Sequence, residues 1–167
     1  MITFIESLLE ELEHESIGTR KILALVPADK GDWKPHAKSM SMKDLAVHVA
    51  DIPSWITGAL TTDEIDFAAT PYKPQDCNGG EELVAFFDKN VAEATNTLKL
   101  HKDEILEKHW TMRSGEAVLM KLTKLQTIRH AFGQMIHHRA QLGVYLRLLD
   151  IPIPGVYGPS ADEMGGM

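Results

Sequence analysis

Arg129-His130-Ala131-Phe132-Gly133-Gln134-Met135-Ile136-His137-His138-Arg139-Ala140-Gln141-Leu142 decides how this chain reads, because it places several metal-capable side chains on one stretch with helical spacing. At about 3.6 residues per turn, His130, Gln134, His137, His138 and Gln141 fall within an arc of roughly 100°. They form one polar stripe on an otherwise apolar helix, and such a stripe needs partners.

Outward from this run, hydrophobic periodicity predicts four helices and almost nothing that alternates like a strand. The first spans residues 4–25, with Ile5, Leu8, Leu12, Ile22 and Leu25 near helical spacing, and Pro27 marks its end. Ser41-Met42-Lys43-Asp44 resembles a capping box and opens a second helix with Leu45, His48, Val49, Ile52 and Ile56 on one face. Pro53 removes a backbone donor inside that helix, which predicts a kink or a tightened last turn over residues 52–55. Residues 61–80 hold Pro71, Pro74, Asn78, Gly79 and Gly80 and read as the longest irregular loop. A third helix is expected over 81–100, a break over 110–115, and a long fourth helix over 118–149 that Pro152 and Pro154 stop. Residues 155–167 read as an extended tail, frayed at Gly165-Gly166. The expected fold class is all-α: a single domain, residues 1–167, packed as an antiparallel-type four-helix bundle.

Composition narrows the function classes. A chain of 167 residues suffices for one domain with a substantial core. Lys and Arg number 17 against 24 Asp and Glu, a net charge of -7, which argues against binding nucleic acid by phosphate neutralisation. No basic block marks an anionic membrane surface, and no stretch approaches the roughly 18 apolar residues of a membrane span. Cys77 is the only cysteine, so neither an intramolecular disulfide nor a cysteine-rich zinc site can form, and a cytoplasmic setting is the economical expectation. Met1-Ile2-Thr3-Phe4-Ile5-Glu6 lacks the basic start and long apolar core of a signal peptide. With neither a nucleophile elbow nor a phosphate-binding glycine loop, any catalysis would be expected to run through a metal.

His48 is the second half of the argument, because it lies three residues after Leu45 and four before Ile52, on the face that should enter the core. Alone it reads as a hydrogen-bonded core histidine. Opposite the histidine run of the fourth helix, it becomes one of several inward ligands, which is how bundles build metal sites. Trp55 follows by seven residues, two turns along the same face, where it can wall a pocket. Trp33 and Trp110 read as core or loop-anchoring aromatics, and His14, His36, His101 and His109 as solvated.

Leu45-Ala46-Val47-His48-Val49-Ala50, and His137-His138-Arg139-Ala140-Gln141-Leu142 with the following Tyr145-Leu146-Arg147, resemble the DinB family of four-helix-bundle proteins over nearly the whole chain. That family includes YfiT-like metal-dependent hydrolases and bacterial thiol transferases. The resemblance implies a divalent ion, zinc or nickel foremost, held by one histidine of the second helix and a His-x-x-x-His pair of the last. By position these are His48, Gln134 and His138, so Gln134 stands where the pair's first histidine belongs. A neutral amide oxygen serves zinc or nickel less well than imidazole, so weakened or absent affinity is expected.

Three outcomes stay open: Gln134 ligates weakly, His130 or His137 replaces it, or the site has lost its metal and kept its pocket. His130 lies one turn before Gln134 on the same stripe, whereas His137 lies about 100° round the helix from His138 and reads as exposed or as an interhelical polar contact. Arg139 and Gln141 are expected to serve structure or to hydrogen-bond the ligands. The resemblance implies metal-dependent transfer of a low-molecular-weight thiol, or hydrolysis, with a small electrophile as substrate. The alternative is a non-catalytic bundle with a degenerate site that binds a ligand or a partner in a stress response. A homodimer is a further implication; nucleic acid and membrane are not expected partners.

Overall fold

The computed structural model describes residues 2–165. Four helices carry the fold: α1 (Phe4–Leu23), α2 (Met42–Thr61), α3 (Gly80–Lys99) and α4 (Lys124–Leu148). Thr3 caps α1 reciprocally with Glu6: Glu6 N donates to Thr3 Oγ1 at 3.1 Å and Thr3 N to Glu6 Oε2 at 2.7 Å. Ser41 caps α2, accepting from Asp44 N at 3.0 Å. α2 runs as one helix through Pro53 to Thr61, so the tightened last turn expected over residues 52–55 does not occur there.

α1 and α2 are each flanked by α3 and α4, which places them across the bundle diagonal. The core between the helices is built from Leu45, Ile52 and Ile56 of α2, Leu83 and Phe87 of α3, and Phe132 of α4, all at most 1% exposed. Asn90 of α3 donates Nδ2–H to Ala50 O at 3.0 Å, so this buried amide is paired. No helix among the described residues is long and apolar enough to cross a membrane.

The all-α expectation needs correction: the four helices are joined by a small three-stranded sheet. β1 (Glu64–Asp66) pairs in parallel with β2 (His109–Ser114), which pairs antiparallel with β3 (Ala117–Thr123). Residues 118–123, expected as the start of the fourth helix, belong to strand β3. A hairpin turn at Gly115, with φ of 59°, sets Trp110 opposite Leu122. The helix start lies at Thr123, which caps α4 reciprocally with Gln126. Val118, Leu119, Met120 and Leu122 make a short apolar run, and periodicity alone does not distinguish strand from helix in such a run. β1 falls inside the stretch expected to be irregular throughout, and its pairing partner lies far along the chain.

Lys124, 2% exposed, locks the sheet to the bundle: its ammonium donates to Thr62 O at 2.6 Å and pairs with Asp63 at 3.2 Å. After α4 the chain is irregular, as its prolines dictate, and it returns to the bundle. Tyr157 reaches Glu15 of α1, and Arg147 holds Asp162. Of the expected fraying at Gly165-Gly166, Gly166 lies outside the described residues.

Candidate functional site

His48 on α2 and His138 on α4 meet across the helix interface, with ring centroids 4.7 Å apart and planes at 75°. Both are half-buried. Gln141, one turn after His138, sets its Oε1 at 2.7 Å from His138 Nδ1. An amide oxygen only accepts, so Nδ1–H donates, and in the neutral ring this tautomer leaves the lone pair on Nε2. Burial pushes the His48 imidazole below its usual range, and the nearby His138 adds to this; Asp51 acts in the opposite sense. The neutral, lone-pair-bearing form of His48 is thereby favoured.

Gln134 lies one turn before His138 and is half-buried, with its Nε2 at 3.5 Å from His130 Nε2. His130 stacks near Trp55, centroids 6.5 Å apart, and Trp55 meets His48 edge to face at 5.8 Å. The contacts of His130 are thus with Trp55 and Gln134 rather than with the His48–His138 pair. His137 is exposed, its ring 4.9 Å from that of His138. Among the described residues no group of three or more His, Cys, Asp or Glu side chains is arranged to hold a metal ion. Of the three residues that the family resemblance implies as ligands, the structure brings His48 and His138 together, whereas the polar contact of the Gln134 side chain is to His130.

His48 opens onto a cavity of about 500 Å³. α2 contributes Asp51, Ser54 and Trp55 to it, the chain around β1 contributes Phe67 and Tyr72, and β2 contributes Trp110 and Met112. Asp51 accepts from Ser54 Oγ and from the Tyr72 hydroxyl, each at 3.2 Å. Burial, with the Asp51 charge beside it, pushes the Tyr72 phenol up to about 12, so it remains a neutral donor. Trp110, expected to be a core or anchoring residue, is buried and its Nε1–H donates to Thr62 Oγ1 at 3.0 Å; it also lines the cavity. Asp51, Phe67 and Tyr72 were not singled out from the sequence. Asp51 had one available signal, its place three residues after His48 on the same helix face.

Arg139 takes a structural role away from the histidines. It is 3% exposed, and its guanidinium reaches Glu15 Oε2 at 2.7 Å, Thr19 Oγ1 at 3.1 Å and the Tyr157 hydroxyl at 2.6 Å.

Solved structures share this architecture. A DinB-like protein from Bacillus subtilis superposes with a TM-score of 0.70 at 16% identity, covering 90% of this chain and 97% of that one. One from Bacillus cereus gives 0.70 at 18% identity, covering 94% and 100%. A DinB-family member from Exiguobacterium sibiricum gives 0.63 at 21% identity, covering 93% and 97%. At such identities the likeness concerns the fold. No curated protein is similar enough to count as a match. Identity at the level of family comes from the sequence model of the DinB family, which matches residues 1–165, the helices bearing His48 and His138 included: the chain belongs to the DinB family.

Proposed function

We propose that this protein binds a divalent ion, zinc or nickel foremost, through His48, Gln134 and His138. On this reading it acts on a small electrophile in the adjoining cavity, as a metal-dependent thiol transferase or a hydrolase. The observation that carries the reading is the meeting of His48 and His138 at 4.7 Å beside a cavity of about 500 Å³. When bound, such an ion supplies Lewis acidity, lowering the pKa of an incoming thiol or water. The chain's own contributions are orientation and shelter. Gln141 fixes the His138 ring with Nε2 free, burial keeps His48 neutral, and Trp55 and Trp110 line the cavity against water.

The test is elemental analysis of untagged protein after incubation with zinc or nickel and desalting. Near one ion per chain, lost in His48→Ala, supports the reading. Failure to retain any ion favours a second one, a non-catalytic bundle that binds a small ligand. That alternative draws on the absence, among the described residues, of a third strong ligand beside the two histidines.

A further inference from the structure

We propose that the cavity beside His48 receives a small protonated amine on an apolar body, its ammonium group on Asp51 and its body among Trp55, Phe67, Tyr72 and Trp110. The inference goes beyond the proposed function, since a protonated amine is not itself the electrophile of that reading; it rests on the same choice of cavity and needs no bound metal.

Charge is the first argument. Asp51 is the only Asp, Glu, Lys or Arg among the described residues lining the cavity, and no basic side chain forms an ion pair with it. Its carboxylate is half-buried, and a partly desolvated charge without a counter-ion favours a ligand that brings one. Hydrogen-bond capacity points the same way. Ser54 and Tyr72 each donate once to Asp51, whereas a carboxylate has about four lone-pair sites, so acceptor positions remain for ammonium N–H groups. A carboxylate or phosphate ligand would meet like charge there.

The walls supply the rest. Trp55, Phe67, Tyr72 and Trp110 bring four aromatic rings to one small cavity, and aromatic faces attract cations while their apolar area shelters a hydrocarbon body. The volume of about 500 Å³ falls in the range of small-molecule sites. The net charge of -7 also raises the local concentration of cations over anions.

Isothermal titration of the full chain, stripped with EDTA and held at neutral pH, compares phenethylamine with phenethyl alcohol and phenylpropionate, three ligands of like size and different charge. The amine is expected to bind at least about tenfold more tightly than either. Asp51→Asn, nearly isosteric and checked for helical content, is expected to bring the amine to the level of the alcohol. Equal affinities, a preference for the carboxylate, no binding of any ligand, or an amine preference that survives Asp51→Asn would each overturn the proposal. The comparison on the unaltered chain does not depend on any variant folding. Metal retention, measured separately, judges the His48–His138 reading, so either idea can fail alone.

Discussion

His138 and Arg139, neighbours in sequence, serve different partners: the His138 ring packs on His48 of α2 at 4.7 Å, while Arg139 turns to α1 and pairs with Glu15 at 2.7 Å. Successive helical residues point about 100° apart, so a single short motif can feed both the candidate site and the bundle's structural ion pair.

The Arg139–Glu15 pair should be a large stability determinant. Both residues are buried, at 3% and 6% exposed, so Arg139→Ala would strand a carboxylate away from water. Urea unfolding is expected to show a loss of about 3–5 kcal/mol. A double-mutant cycle with Glu15→Gln should return a coupling above the roughly 1 kcal/mol ceiling of exposed pairs; a smaller value would demote the pair to a surface-like contact.

On the proposed ligand set, Gln141→Ala frees the His138 ring and should weaken zinc binding by about 10–100-fold. Gln134→His replaces an amide oxygen by an imidazole and should tighten it. Competition against a zinc indicator reads both; unchanged affinity in both variants would dismiss the assigned ligands.

Gly80, the first residue of α3, sits where a Cβ would lie 2.3 Å from Ala24 O, just past the end of α1. Gly80→Ala must push the two helices apart and is expected to destabilise by about 1–3 kcal/mol in thermal unfolding. An unchanged midpoint would mean that this junction yields freely.

The docking of the tail should respond to acid. The Arg147 hydrogen bonds, helped by Ile153 N–H, hold Asp162 at about 2 against an ordinary 3.8. A carboxylate lowered in the fold stabilises it above the unfolded value, and that contribution fades as pH falls from about 3.8 through about 2. Melting temperatures of the wild type should therefore converge on those of Asp162→Asn across that window. Curves that stay parallel would rule out Asp162 as the group responsible.

Helices were legible because their signals are local. The expected segments 4–25 and 81–100 match Phe4–Leu23 and Gly80–Lys99 to within two residues at each end. The sheet was not legible. Glu64 pairs with Thr111 and Trp110 with Leu122, and a three-residue strand whose partner lies far along the chain carries no periodicity of its own. Among the site residues, His48 could be read from the inward face of its helix, whereas His138 was one of five residues on a polar stripe and was singled out by the resemblance to the family. Tyr72 lay in a proline-bearing loop whose path no local rule predicts.

The sequence by itself determined four amphipathic helices, the inward bias of His48 and a polar stripe on the last helix, since each depends only on residue type and helical spacing; the resemblance to the family singled out Gln134 and His138 within that stripe. Tertiary structure alone decided that Glu15 is buried and paired with Arg139. It also decided that a strand replaces the first turns expected of α4, and that Asp51, Tyr72 and Trp110 share one cavity. Periodicity belongs to a single segment, whereas a partner or a cavity wall exists only where distant segments are brought together.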